Sequence, residues 1–123
     1  MRHRRALLLV IAALAIAGCG AQQPQAPLPA AKKLDEATSG ISTACGLTYQ
    51  ATAFPGRHEP DLTALEATAS TAAEKLATVY KRNPGWIYQG EPVHAIVEDS
   101  LTMLRQCGLP QAARTLTQRT GLH

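Results

Sequence analysis

Between positions 62 and 79, apolar and small side chains recur at steps of three and four residues. This spacing places them on one side of an α-helix, because about 3.6 residues complete each helical turn. Pro60-Asp61 has the proline and the acid typical of a helix start, and Asn83-Pro84-Gly85 is a strong stop signal. The sequence therefore predicts an amphipathic helix with these inward residues: Leu62, Leu65, Ala69, Ala72, Leu76 and Val79.

A similar pattern precedes this segment. It predicts a helix from residue 31 to about residue 54, where Pro55-Gly56 ends it. Gly40 and Gly46 weaken this prediction, because glycine inside a helix costs about 1 kcal/mol relative to alanine. The inward stripe of this helix consists of Leu34, Ala37, Ile41, Ala44 or Cys45, and Thr48.

Two more helices are predicted in the last third of the chain. One begins at Pro92 and ends at Gly108, and a shorter one begins at Pro110. Their inward residues are Val93, Val97, Leu101 and Leu104 in the longer helix, and Ala113 and Leu116 in the shorter one. The segment 86–88 is too short to build a sheet. We therefore expect an all-α fold, a small antiparallel bundle of three longer helices and a short C-terminal helix.

The N-terminal segment has the features of an export signal. Arg2, Arg4 and Arg5 precede an apolar stretch at positions 6–17, which is about 12 residues long, whereas a helix needs roughly 20 to span a bilayer. A retained transmembrane anchor is therefore the weaker interpretation. We predict a cleaved signal peptide over residues 1–18.

The tetrapeptide Ile16-Ala17-Gly18-Cys19 resembles the lipobox of bacterial lipoproteins. This resemblance, which covers only the first fifth of the chain, implies cleavage before Cys19 and attachment of diacylglycerol to its thiol. It also implies a lipid-anchored protein of the cell membrane or outer membrane, facing the periplasm or the cell exterior. Gly20 is not the aspartate that would prevent sorting to an outer membrane. The alternative is that Cys19 is an ordinary thiol near a cleaved end.

The segment after the lipobox predicts a tether. Residues 20–30 are rich in proline, glutamine and alanine and contain no charge. A polyproline II conformation with about 3.1 Å per residue would hold the folded part up to roughly 30 Å from the lipid. A disordered leader of no particular length is the alternative. The predicted organisation is a signal peptide at 1–18, an anchor and tether at 19–30, and a helical domain at 31–123.

The charge balance argues against nucleic-acid binding. Three of the twelve basic residues precede Cys19, so nine bases face nine acids in the mature chain. The neutrality of this chain and the lack of a basic stripe argue against binding to phosphate backbones, and the neutrality also argues against docking on anionic lipid through a polybasic patch. We expect no nucleic-acid partner. The expected partners are the membrane, through the lipid anchor, and another envelope protein.

Once Cys19 is assigned to the lipid, Cys45 and Cys107 remain. An even number of cysteines in an exported protein predicts a disulfide. This bond would close a loop of 62 residues, for which chain entropy gives at most about 4 kcal/mol. Two buried free thiols are an alternative, and a redox or metal-binding pair is another, although no CxxC spacing supports it.

The remaining polar residues do not form a recognisable catalytic or metal site. His58, His94 and His123 lack the i, i+4 spacing that presents two imidazoles to one metal ion. Glu98 and Asp99 are neighbours on a helix and point in different directions. No serine lies in a GxSxG or SxxK motif. We expect no enzyme activity, no metal and no cofactor; only a pocket that gathers His94, an acid and a hydroxyl would revive catalysis.

Trp86, Ile87 and Tyr88 form the candidate contact site for a partner or ligand. Aromatic residues in a loop of an aromatic-poor protein are typical of binding surfaces. Alternatively, Trp86 folds back against Phe54 or Tyr80 and caps the bundle. The functional prediction is a non-catalytic interaction or structural module. A small-ligand binder, with a pocket near Tyr49, Tyr80, Trp86 and Tyr88, is the alternative.

Overall fold

The computed structural model describes residues 24–53 and 61–123 of the chain. These residues form four helices and one short hairpin. In chain order the elements are α1 (Leu28–Ala53), α2 (Leu62–Arg82), β1 (Ile87–Tyr88), β2 (Glu91–Pro92), α3 (Val93–Gln106) and α4 (Pro110–Thr120). The predicted all-α bundle of three longer helices and one short helix is confirmed.

Helices α1 and α2 pack closely in antiparallel orientation. Lys75 Nζ lies 3.1 Å from Glu36 Oε2, and Gly40 lies against Ala72. A Cβ atom at position 40 would lie only 3.0 Å from the Cβ of Ala72. Gly40 lowers the intrinsic stability of α1, but its lack of a side chain lets the backbones of α1 and α2 approach each other.

Helix α4 runs beside α2 in the same direction. Near the start of both helices, the carboxylate of Glu66 accepts hydrogen bonds from the backbone N–H groups of Gln111, at 3.3 Å, and Ala112, at 3.0 Å. Further along, Arg119 Nη2 lies 3.3 Å from Glu74 Oε1. The N-cap residue of α4, Leu109, makes no side-chain capping bond, so Glu66 supplies the cap from a different helix.

The core is made of aliphatic residues from all four helices. The largest fully buried side chains are Leu34, Ile41, Leu76, Val79, Val93, Val97, Leu104, Leu109 and Leu116. Every predicted inward residue is buried except Leu62, which is 56% exposed. Helix α4 starts level with Glu66, one turn beyond Leu62, so Leu62 lines an open surface depression beside Gln111. Among the described residues, no helix has both the length and the apolar character needed to cross a bilayer.

The folded domain begins earlier than the sequence predicts. The N–H of Ala26 donates to the Ile87 carbonyl at 2.8 Å, and the N–H of Ile87 donates to the Pro24 carbonyl at 3.0 Å. Gln25 thus forms a parallel bridge with Ile87, and α1 starts at Leu28. These contacts lie within the segment that the sequence predicts as a tether. Prolines suit both an extended segment and the first turn of a helix, so their presence does not exclude this region from the fold.

Candidate functional site

The segment predicted as an aromatic loop is a hairpin. In this ribbon, Ile87 pairs with Pro92 and Tyr88 pairs with Glu91. The two turn residues, Gln89 and Gly90, have φ angles of 50° and 82°. Two consecutive positive φ angles are typical of the type I′ turn, which matches the twist of a two-stranded ribbon. The bridge to Gln25 adds a third short segment along β1. We call residues 24–28 and 87–92, together with the adjoining ends of α1 and α2, the hairpin end.

The aromatic side chains of this end face the bundle. Tyr80, Trp86 and Tyr88 are partly buried and pack against the aliphatic core. The guanidinium carbon of Arg82 lies 6.0 Å from the centre of the Trp86 ring, within the range of a cation–π contact. Trp86 therefore folds back onto the bundle. Phe54, the other predicted neighbour of Trp86, lies outside the described residues.

Tyr88 ties the hairpin to α1. Its hydroxyl donates a hydrogen bond of 2.8 Å to Asp35 Oδ1. This bond to a carboxylate raises the pKa of Tyr88 above its usual 10.0, and partial burial and the negative charge of Asp35 act in the same direction. Deprotonation would place two negative charges beside each other. Tyr88 thus serves as a neutral donor that holds the hairpin in place.

His94 lies beside Tyr80 and Glu98 at the start of α3. Its ring centre lies 6.3 Å from that of Tyr80, and its Nε2 lies 3.4 Å from Glu98 Oε1 on the next turn of α3. The side chains of His94 and Glu98 are 47% and 57% exposed, so they lie on the solvent-facing side of the helix. In the part of the chain that the structure describes, no group of three histidine, cysteine or acidic residues could hold a metal ion.

The predicted disulfide between Cys45 and Cys107 is confirmed. It joins α1 to the C-terminal end of α3, with Cα atoms 5.3 Å apart and 62 positions between them in sequence. Tyr49 and Met103 beside this bond are 72% and 40% exposed. Together with Gln106 and Cys107 they line an open groove of about 340 Å³. We call this surface, with Cys45 beneath it, the disulfide end.

The aromatic residues do not form one ligand pocket. Tyr49 lies 14 positions beyond Asp35 on α1, and Asp35 is the residue that bonds Tyr88. At about 1.5 Å per residue, roughly 21 Å of helix separates Tyr49 from the hairpin. Tyr49 is therefore too far from the hairpin to share one small pocket with Trp86 and Tyr88.

The predicted signal peptide, the lipidation site Cys19 and His58 also fall outside the described residues. Comparison of the chain with protein-family models, with curated proteins and with solved structures finds no match. The function is therefore inferred from the chemistry of this chain alone.

Proposed function

We propose that the protein is a membrane-anchored lipoprotein whose helical domain is a non-catalytic interaction or structural module. Cys19 carries the lipid, and the domain faces the periplasm or the cell exterior. The observation that carries this proposal is the bond between Cys45 and Cys107. Structural disulfides form and persist in oxidising compartments outside the cytosol. Of the three cysteines in the chain, this bond uses two and leaves Cys19, at the end of the apolar stretch, for the anchor.

The surface of the bundle favours an interaction module over a small-ligand binder. Within the described residues, every buried side-chain nitrogen and oxygen atom has a hydrogen-bond partner, so none points unpaired towards a ligand. The large aromatic side chains near the hairpin pack against the core. At the disulfide end, in contrast, Tyr49 and Met103 present apolar surface to the solvent, and exposed apolar patches mark contact sites with other proteins.

The anchor is tested by intact mass spectrometry of the protein purified from bacterial membranes, before and after reduction. The proposal expects the mass of residues 19–123 plus two or three acyl chains, and a gain of two hydrogens on reduction. The Cys19→Ser variant is the control and should carry no acyl mass. An unmodified thiol at Cys19 in the membrane-purified protein would contradict the proposal.

The interaction role is tested by photo-crosslinking in the membrane. A photoreactive amino acid replaces Tyr49 in one variant and the exposed Thr71 of α2 in a control variant. We expect an adduct of one defined mass from position 49 and none from position 71. Equal labelling from both positions, or none from either, would argue against a specific partner at the disulfide end.

A further inference from the structure

The contacts that begin at Pro24 leave little chain between the proposed anchor and the fold. Pro24 already takes part in the hydrogen bonds that join residues 24–26 to β1. Four residues, 20–23, separate it from Cys19. A fully extended chain spans at most about 3.6 Å per residue, so Pro24 lies within about 18 Å of the lipid-bearing residue. The bundle is much longer than this, because the 26 residues of α1 extend over roughly 39 Å.

The short reach of the chain from Cys19 to Pro24 decides which end of the bundle is nearest to the lipid. The chain enters at the hairpin end, where α1 starts and α2 finishes. The disulfide end lies near the opposite end of α1, because Cys45 and Tyr49 belong to its last turns. A tether of four residues keeps the hairpin end close to the membrane surface, whereas the disulfide end would reach that surface only in a bundle lying flat along it.

The side chains at the hairpin end suit a lipid surface. Leu28 is 86% exposed at the first position of α1, so its side chain is free to contact a neighbouring surface. Lys32 and Lys33 follow it on α1, and Lys81 and Arg82 occupy the last turn of α2, all four exposed. Within the first two turns of α1, the last turn of α2 and the hairpin, the carboxylates are Asp35, which accepts the bond from Tyr88, and the exposed Glu91. Glu36, the next residue of α1, is paired with Lys75. The four cations of these segments therefore outnumber the two acids, although the mature chain as a whole is neutral.

We infer that the hairpin end rests on the surface of the membrane that holds the anchor. Leu28 enters the headgroup region, and Lys32, Lys33, Lys81 and Arg82 face lipid phosphates. The disulfide end, with Tyr49 and Met103, points away from the membrane. This inference rests on the proposed lipid anchor and adds the orientation of the domain to it.

Tryptophan fluorescence tests this orientation, because Trp86 is the single tryptophan of the chain and lies beside the hairpin end. The acylated protein is reconstituted into phosphatidylethanolamine–phosphatidylglycerol vesicles with and without a headgroup-spin-labelled lipid as the quencher. A matched pair of variants reports the two ends, namely W86F/L28W and W86F/Y49W. Both positions are exposed and lie on α1, about 31 Å apart along the helix.

We expect the spin-labelled lipid to quench the wild-type protein and W86F/L28W and to leave the emission of W86F/Y49W nearly unchanged. Equal quenching of the two variants, or stronger quenching of W86F/Y49W, would overturn the inference. If circular dichroism shows that Trp86→Phe disturbs the fold, the orientation is judged from the wild-type protein alone. Trp86 emission that the spin-labelled lipid does not quench would then overturn the inference. Intact mass of the same preparation separates the two proposals. A chain without acyl groups overturns both, whereas an acylated chain with the wrong quenching pattern overturns only the orientation.

Discussion

The hydroxyl of Tyr88 donates a 2.8 Å hydrogen bond to the carboxylate of Asp35, 53 positions earlier in the chain. This bond joins the tip of β1 to the second turn of α1. Ile87 is held on the same helix start through its backbone, by its bonds to residues 24 and 26. The hairpin is therefore fixed to the segment that leads to the proposed lipid anchor, by one side chain and two backbone contacts.

Removing the Tyr88 hydroxyl should lower stability in a pH-dependent manner. Asp35 raises the pKa of Tyr88, so the folded state holds the phenolic proton more tightly than the unfolded state does. This contribution is complete below the unfolded pKa of 10.0 and is lost as the pH rises through the higher folded pKa. Tyr88→Phe should therefore cost at most about 1 kcal/mol at neutral pH, because the bond is exposed, and progressively less above pH 10.

Urea unfolding of the wild-type protein and Tyr88→Phe, compared from neutral to alkaline pH, measures this difference. Asp35→Asn is the companion variant, because it removes the carboxylate and keeps the tyrosine. Its Tyr88 should titrate nearer to 10.0 in a tyrosinate absorbance titration. A stability difference between wild type and Tyr88→Phe that is constant across this range would show that the bond does not couple to the proton.

Alanine substitutions at the two glycines of α1 should have opposite effects. At Gly46 a Cβ atom meets nothing within 4 Å. Gly46→Ala should therefore stabilise the folded domain by close to the full helix-propensity difference between glycine and alanine, about 1 kcal/mol. At Gly40 the new Cβ would lie 3.0 Å from Ala72 Cβ, which is attached directly to the α2 backbone and cannot turn aside. Gly40→Ala should therefore lower the thermal midpoint, whereas Gly46→Ala should raise it. A rise of similar size in both variants would show that α1 and α2 can separate at no cost.

The helices were predictable because their signals are local. Each inward stripe repeats within a few turns, and terminators such as Asn83-Pro84-Gly85 stand next to the helix that they end. The hairpin was missed because Ile87–Tyr88 is only two residues long. Its one local signal was the two-residue turn Gln89-Gly90 between a pair of extended segments.

The long-range contacts at the two ends of the bundle have no local sequence signal. The prolines at positions 24 and 27 predict an extended segment equally well in a free tether and in a chain that pairs with β1. Glu66 has the same local environment as other helix-surface acids, and its role as a cap depends on α4, 45 positions later. Only the tertiary packing of α4 against α2 brings the Glu66 carboxylate to the start of α4.

Loss of the Glu66 carboxylate should destabilise α4. Its two oxygens accept the backbone N–H groups of Gln111 and Ala112 at a helix start that has no cap of its own. Loss of an N-cap acceptor costs about 1 kcal/mol, and the carboxylate also interacts favourably with the helix dipole. Glu66→Ala should lower the free energy of unfolding by about this amount, which appears as a lower urea midpoint at an unchanged slope of the transition. Glu74→Ala is the control, because its exposed ion pair with Arg119 should contribute less. An equal loss in both variants would assign Glu66 no special role.

Reduction of the disulfide should remove much of the stability of the domain. Closing a 62-residue loop limits the unfolded chain and stabilises the fold by at most about 4 kcal/mol, and a small domain has only about 5 to 15 kcal/mol in total. Urea unfolding with and without reductant measures the loss, and Cys45→Ala/Cys107→Ala should reproduce it. Reductant should not affect this double variant, which controls for effects unrelated to the bond.

If the reduced wild-type protein unfolds at the same urea concentration as the oxidised one, the bond contributes nothing to folding. The domain would then not need the oxidising compartment to which the proposed anchor assigns it.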